Sequence, residues 1–131
     1  MEIFNGVDIL DIKRIDEIYK KFGERFEKKI LSNQEIILLK KKKHQHIRTL
    51  AGIFSSKESM GKAMGTGISK DVKFKDIEVL KDNLGRPHIS LKNNTLRFLK
   101  IKKDKYKNHK ISLSISHEKN MVVTFVTMLF Y

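Results

Sequence analysis

The stretch Ile111-Ser112-Leu113-Ser114-Ile115-Ser116-His117-Glu118-Lys119-Asn120, continued by Met121-Val122-Val123-Thr124-Phe125-Val126-Thr127-Met128-Leu129-Phe130, decides the fold class. Its first half alternates strictly between apolar residues and serine, the period of a half-buried strand. That strand ends on His117, and Glu118-Lys119-Asn120 makes the turn. The second half is apolar on both faces, as expected of a central or interface strand. The C-terminal end therefore reads as an antiparallel hairpin.

Working outward, Glu2–Ile9 is short and apolar and reads as a strand, with Asp8 interrupting the run Val7-Asp8-Ile9-Leu10. From Asp11 the period changes: Ile12, Ile15, Tyr19 and Phe22 fall at helical spacing, with Lys13, Arg14, Lys20 and Lys21 opposite. Gly23 stops that helix, and Phe26, Ile30 and Leu31 predict a further turn or two. Ser32-Asn33-Gln34-Glu35 is a capping box opening another helix, which dissolves into Lys40-Lys41-Lys42-Lys43. A long helix over about 47–64 ends at Gly65-Thr66-Gly67. Residues 74–80 and 88–91 read as strands around the turn Asp82–Pro87, and Leu96-Arg97-Phe98-Leu99 as a short helix. Strand, then helices, then strands predicts an α+β class with a largely antiparallel sheet.

The 131 residues make one domain, 1–131, with room for a single core. Lys plus Arg number 28 against 15 Asp plus Glu, a net charge of +13 that calls for an anionic partner. The absence of cysteine excludes a disulfide scaffold and any thiolate metal or redox site. A hydrophobic content of 40% argues against disorder. The start Met1-Glu2-Ile3-Phe4 does not read as a signal peptide. The longest apolar run, Met121 to Tyr131, is shorter than the about 20 residues a membrane-spanning helix needs. A soluble, cytoplasmic protein with no membrane partner is expected.

Without cysteine, a metal site has to use carboxylates and histidine, and oxygen ligands suit a hard cation such as Mg²⁺. Asp8, Glu58 and Lys62 stand out. On spacing alone the first of two readings is favoured. Asp8 or Asp11 serves as a helix cap, and Glu58 with Lys62 forms an i,i+4 pair worth about 0.3–0.5 kcal/mol; or these residues carry chemistry. His117 shares the apolar register of Ile111, Leu113 and Ile115 yet lies at the strand end, so a structural and a site role weigh equally.

Two motifs shift that balance. Gly6-Val7-Asp8-Ile9 followed by Lys13-Arg14-Ile15, and Phe54-Ser55-Ser56-Lys57-Glu58-Ser59-Met60-Gly61-Lys62-Ala63-Met64-Gly65-Thr66-Gly67, resemble the signatures of the holo-acyl-carrier-protein synthase family, the bacterial phosphopantetheinyl transferases of fatty acid biosynthesis. Phe26 to Glu35, Phe74 to Val79, Gly85-Arg86-Pro87 and Ser114-Ile115-Ser116-His117 match in order and approximate spacing, so the resemblance covers the whole chain.

The resemblance implies transfer of 4′-phosphopantetheine from coenzyme A to a serine of apo acyl carrier protein, releasing adenosine 3′,5′-bisphosphate. It implies that Asp8 and Glu58 hold Mg²⁺ on the pyrophosphate and that Glu58 is a candidate acceptor of the serine proton. Lys62 then complements phosphate oxygens and completes the catalytic set. Arg48 and Lys57, with Lys62, serve the coenzyme's phosphates, and Pro87 and His117 sit by the nucleotide end. Arg14, Lys21 and Arg25 form the carrier-docking face. A homotrimer with sites between subunits is implied as well. The family often has Arg where this chain has Ile53, a lost phosphate contact for which Arg48 or Lys57 compensates. Small alanines of the family pattern are here Ser55, Ser56 and Ser59. The lysine-rich stretches 40–46 and 100–110 match poorly and receive no role. The competing reading is a small basic nucleic-acid-binding protein, the default at a pI near 9.9. It leaves Asp8 and Glu58 unexplained, and no nucleic-acid partner is expected.

Overall fold

Alternation along three ten-residue strands builds the sheet that carries the site. They are β1 (Glu2–Asp11), β4 (His109–Glu118) and β5 (Met121–Phe130). The structure, a computed structural model, describes all 131 residues. β5 is central, pairing antiparallel with β1 on one edge and β4 on the other. Gly6 and Leu10 of β1, Leu113 of β4, and Val122, Thr124 and Val126 of β5 turn inward and are buried. The opposite face leaves Ile3, Val7, Ile9 and Phe125 exposed. The two apolar faces of β5 are thus explained: one meets the helices and the other does not.

Helices α1 (Ile12–Phe22), α2 (Glu24–Ile30), α3 (Asn33–Lys40) and α4 (His46–Ala63) follow β1. A separate hairpin, β2 (Ile77–Lys81) and β3 (Pro87–Leu91), precedes α5 (Asn93–Lys102). Several boundaries differ from the sequence reading: β1 runs to Asp11 rather than Ile9, β3 begins at Pro87 rather than His88, and β4 begins at His109 rather than Ile111. Phe74–Asp76 is a turn of 3₁₀ helix and the strand begins at Ile77. The short helix around Leu96–Leu99 extends to Lys102. α4 lies across the inner face of β1 and β5, and Leu50, Ala51 and Met60 are almost wholly buried in the core. Burying each large apolar side chain contributes about 1.5–3 kcal/mol.

The capping box is present in full. Ser32 Oγ accepts from the Glu35 amide at 3.3 Å, and Glu35 Oε1 accepts from the Ser32 amide at 2.8 Å. Ser32 Oγ also donates to Glu78 Oε2 at 2.7 Å, tying α3 to β2. Ser32→Ala loses both, so its urea midpoint should fall by the equivalent of about 1–2 kcal/mol with an unchanged slope. An unshifted midpoint would show that the cap contributes nothing.

Glu35 is also one half of a buried ion pair. Its Oε1 accepts from Lys57 Nζ at 2.6 Å, and neither side chain has any exposed surface. Its Oε2 accepts from the Val79 amide at 2.8 Å. Lys57 Nζ donates further to the carbonyls of Ile30 at 2.6 Å and Phe74 at 2.8 Å, so all three ammonium protons are used. Burial pushes the Glu35 carboxyl up and the Lys57 ammonium down, and their mutual attraction opposes both. Phe54 stacks on Phe74 and packs against Phe26 beside this pair. One lysine therefore joins α2, α3, α4 and the 3₁₀ turn.

Candidate active site

Gly6 sets the depth at which β1 meets α4. A Cβ there would lie 1.9 Å from the Ser59 carbonyl oxygen and 2.6 Å from the Ala63 nitrogen, so only glycine permits the approach. Two residues on, Asp8 points to the same face of the strand. Asp8 Oδ2 accepts from Ser55 Oγ at 2.8 Å. Asp8 Oδ1 accepts from Lys62 Nζ at 3.2 Å, and Lys62 also donates to the Val7 carbonyl at 2.9 Å. Asp11, not Asp8, caps α1, accepting from the Lys13 amide. Asp8 is thus free of the commoner duty that the sequence left open.

Glu58 stands half-buried on α4, one turn before Lys62. Burial raises its carboxyl above the usual range, and the negative charge of Asp8 raises it further. Lys62 and Arg14 pull it back only in part. The two carboxylates are therefore close enough to repel, although they come from different elements. No third acid or histidine joins them. Two repelling, partly desolvated oxygen donors fit a hard divalent cation whose other positions go to water and to a ligand's phosphate. Asp8, Glu58 and Lys62 are brought together as the motifs implied.

A cleft of about 330 Å³ opens between the start of α4, the β2–β3 hairpin and β4. Arg48, Gly52, Ile53, Lys81, Pro87 and His117 line it. His117 Nε2 is buried without a hydrogen-bond partner and lies against Gly52, where a Cβ would stand 3.7 Å away. Burial lowers the imidazole pKa, and the nearby Arg48 charge lowers it again, so the ring takes up a proton less readily than a free imidazole. In the sheet, Asp8 pairs with Thr124 and Thr124 with Ile115; His117 pairs with Val122, one inward position along. Standard strand spacing puts Asp8 and His117 roughly 12 Å apart on the same face. The cleft and the carboxylates thus sit on one side of the sheet, under one helix.

One expected site residue is not here. Lys57 was to serve the coenzyme's phosphates, but its ammonium is spent on Glu35, Ile30 and Phe74 and has no exposed surface. Neighbouring residues on a helix point about 100° apart, so Glu58 facing outward turns Lys57 inward. Arg48 remains on the cleft wall as a charged group, and Ile53 occupies the wall as an apolar side chain. Lys81 joins them from the end of β2. Nothing in the sequence singled it out, because only the hairpin's placement brings it to the cleft.

Arg14, Lys21 and Arg25 are exposed. Arg14 lies near enough to Glu58 to stabilise its charge. Arg25 lines a groove of about 630 Å³ with Phe22, Phe26, Lys28, Lys29 and Lys75, three lysines that sequence reading passed over. No helix is long and apolar enough to cross a membrane.

Comparison with known proteins agrees with this geometry. The family model of the 4′-phosphopantetheinyl transferase superfamily matches residues 5–123. A holo-[acyl-carrier-protein] synthase of Halothermothrix orenii is 40% identical over 92% of this chain and 92% of its own length. A crystal structure of the holo-[acyl-carrier-protein] synthase of Neisseria meningitidis superposes with a TM-score of 0.85 at 32% identity, covering 96% of this chain and 97% of that one. The Helicobacter pylori synthase, solved in complex with coenzyme A, gives a TM-score of 0.78 at 31% identity, covering 97% and 99%. With the sheet, the paired carboxylates and the adjoining cleft in place, the chain belongs to the 4′-phosphopantetheinyl transferase superfamily and is an enzyme of that kind.

Proposed function

We propose that this enzyme moves 4′-phosphopantetheine from coenzyme A to a serine hydroxyl of an apo acyl carrier protein, in the cytoplasm and in the service of fatty acid biosynthesis. The observation that carries the reading is the convergence of Asp8 and Glu58, two repelling carboxylates from separate elements with Lys62 beside them. The serine oxygen forms a new bond to phosphorus, the phosphoanhydride breaks, and adenosine 3′,5′-bisphosphate leaves. Asp8 and Glu58 are the residues that would hold Mg²⁺, which when bound supplies charge neutralisation on the pyrophosphate.

This chain's own groups do the rest. Lys62 turns from Asp8 toward phosphate oxygens. Glu58 takes the serine proton in this reading, its raised carboxyl pKa being in keeping with a general base. Arg48 offers a planar fork to the coenzyme's phosphates, and His117 and Pro87 receive its nucleotide end, supported by the coenzyme A complex of the Helicobacter pylori relative. The exposed Arg14, Lys21 and Arg25 supply a positive face for an acidic carrier protein, which should speed association and weaken with salt. The exposed apolar patch of Ile3, Val7, Ile9 and Phe125 on the outer sheet face supports a homotrimer closed through that face.

The test is direct. The protein is incubated with apo carrier protein, coenzyme A and Mg²⁺, and the carrier is weighed by mass spectrometry. A gain of one phosphopantetheine, abolished by EDTA, is expected. An unchanged carrier mass in the presence of Mg²⁺ would refute the reading.

A further inference from the structure

Behind Asp8 lies a chain of hydroxyls that neither the cation nor the coenzyme would touch. Ser55 Oγ, which donates to Asp8 Oδ2 at 2.8 Å, is also 2.8 Å from Thr124 Oγ1. Thr124 Oγ1 is 2.5 Å from Ser59 Oγ, and Ser59 Oγ is 3.1 Å from the Thr124 carbonyl. All three side chains are fully buried. Sequence places Ser55 and Ser59 one turn apart on α4, and strand pairing sets Thr124 directly opposite Asp8.

The proton count fixes the direction of this chain. Each hydroxyl has one proton to give. The carboxylate of Asp8 can only accept, so the Ser55 proton goes to Oδ2. The Ser55–Thr124 bond then needs the Thr124 proton. Ser59 in turn gives its proton to Thr124, shared between Oγ1 and the carbonyl. All the hydroxyl dipoles point toward Asp8, and hydrogen bonds aligned this way strengthen one another.

We propose that Ser55, backed by Thr124 and Ser59, is a positioning residue for Asp8: it holds Oδ2 inward so that Oδ1 is the oxygen offered to the divalent cation. Lys62, half-exposed, holds that outward oxygen in this structure, whereas Ser55 is fully buried. The inference rests on the metal role assigned to Asp8. It adds that the orientation of Asp8 is set from inside the core rather than by Lys62.

The experiment measures Mn²⁺ binding to the protein with coenzyme A present, by the electron paramagnetic resonance of free Mn²⁺, together with the Mg²⁺ dependence of turnover. Ser55→Ala should weaken Mn²⁺ binding by about tenfold, the size of effect seen when a ligand loses its supporting hydrogen bond. Its KM for Mg²⁺ should rise in proportion, with kcat at saturating Mg²⁺ close to wild type. Thr124→Val should show a smaller loss of the same sign, and Thr124→Ser, which keeps the hydroxyl, should not. Wild-type affinity in Ser55→Ala would overturn the inference while leaving the metal role of Asp8 standing. Failure of the wild-type protein to bind Mn²⁺ with coenzyme A would overturn both. Should Ser55→Ala not fold, the Thr124 pair decides, and equal affinity in Val and Ser variants would overturn the inference.

Discussion

Asp8→Asn should lower kcat/KM by about 10³-fold, close to 4 kcal/mol of lost transition-state stabilisation. The asparagine keeps an oxygen for Ser55 and nearly the same volume, so the fold has little reason to change. What disappears is one of the two negative charges that would hold the cation against the pyrophosphate. Glu58→Gln should lose a comparable factor, yet it differs in a telling way. The fold raises the Glu58 carboxyl through burial and the charge of Asp8, so the ionised side chain opposes folding at neutral pH. Removing its charge should therefore leave the melting temperature unchanged or higher. The measurements are steady-state transfer kinetics and thermal unfolding on the same preparations. Turnover within threefold of wild type in either variant would remove that residue from the site.

Lys57→Met is expected to have the largest effect on stability. It leaves the Glu35 carboxylate buried without its counter-charge, and it orphans the carbonyls of Ile30 and Phe74. Breaking a buried ion pair in this way costs about 3–5 kcal/mol, a large share of the about 5–15 kcal/mol that holds a domain folded. A fall in melting temperature on the order of 10–20 °C follows. The double variant Lys57→Met with Glu35→Gln should be less damaged than the sum of the two single changes, because no lone charge stays buried. The pH dependence has a defined sign. Burial raises Glu35 already, and without Lys57 the carboxyl rises further. A raised carboxyl favours the fold below its unfolded value and loses that contribution as pH rises through the folded value. The deficit of Lys57→Met should thus shrink toward acid pH. A melting temperature within 2 °C of wild type would show that the pair contributes little.

Lys57 also shows where sequence reading stops. The adjacent pair Lys57-Glu58 looks like one functional unit, and the resemblance placed both at the coenzyme. A helix separates neighbours by about 100°, so only one of them can face the site. Which one does depends on the rotation of α4 against β1, to which the close contact at Gly6 contributes. The capping box Ser32–Glu35 was legible because it is local, three residues apart. The second task of Glu35, receiving Lys57 and the Val79 amide, joins residues far apart in the chain and had no local signal. Asp8 and Glu58 were found through their motifs. Their repulsion, and the hydroxyl chain behind Asp8, needed the register of β1 on β5.

The α+β class, the order of elements, an apolar C-terminal strand with a central or interface place, and the two acids worth testing were all readable from the residues in order. Periodicity and caps act over a few residues, and a chain states them wherever it is read. Which residues share the site emerged from the folded packing: Ser55 and Thr124 behind Asp8, Lys81 in the cleft, and Lys57 withdrawn into the core. Those choices turn on how one helix is rotated over one sheet, a quantity fixed by the packing of all the elements at once.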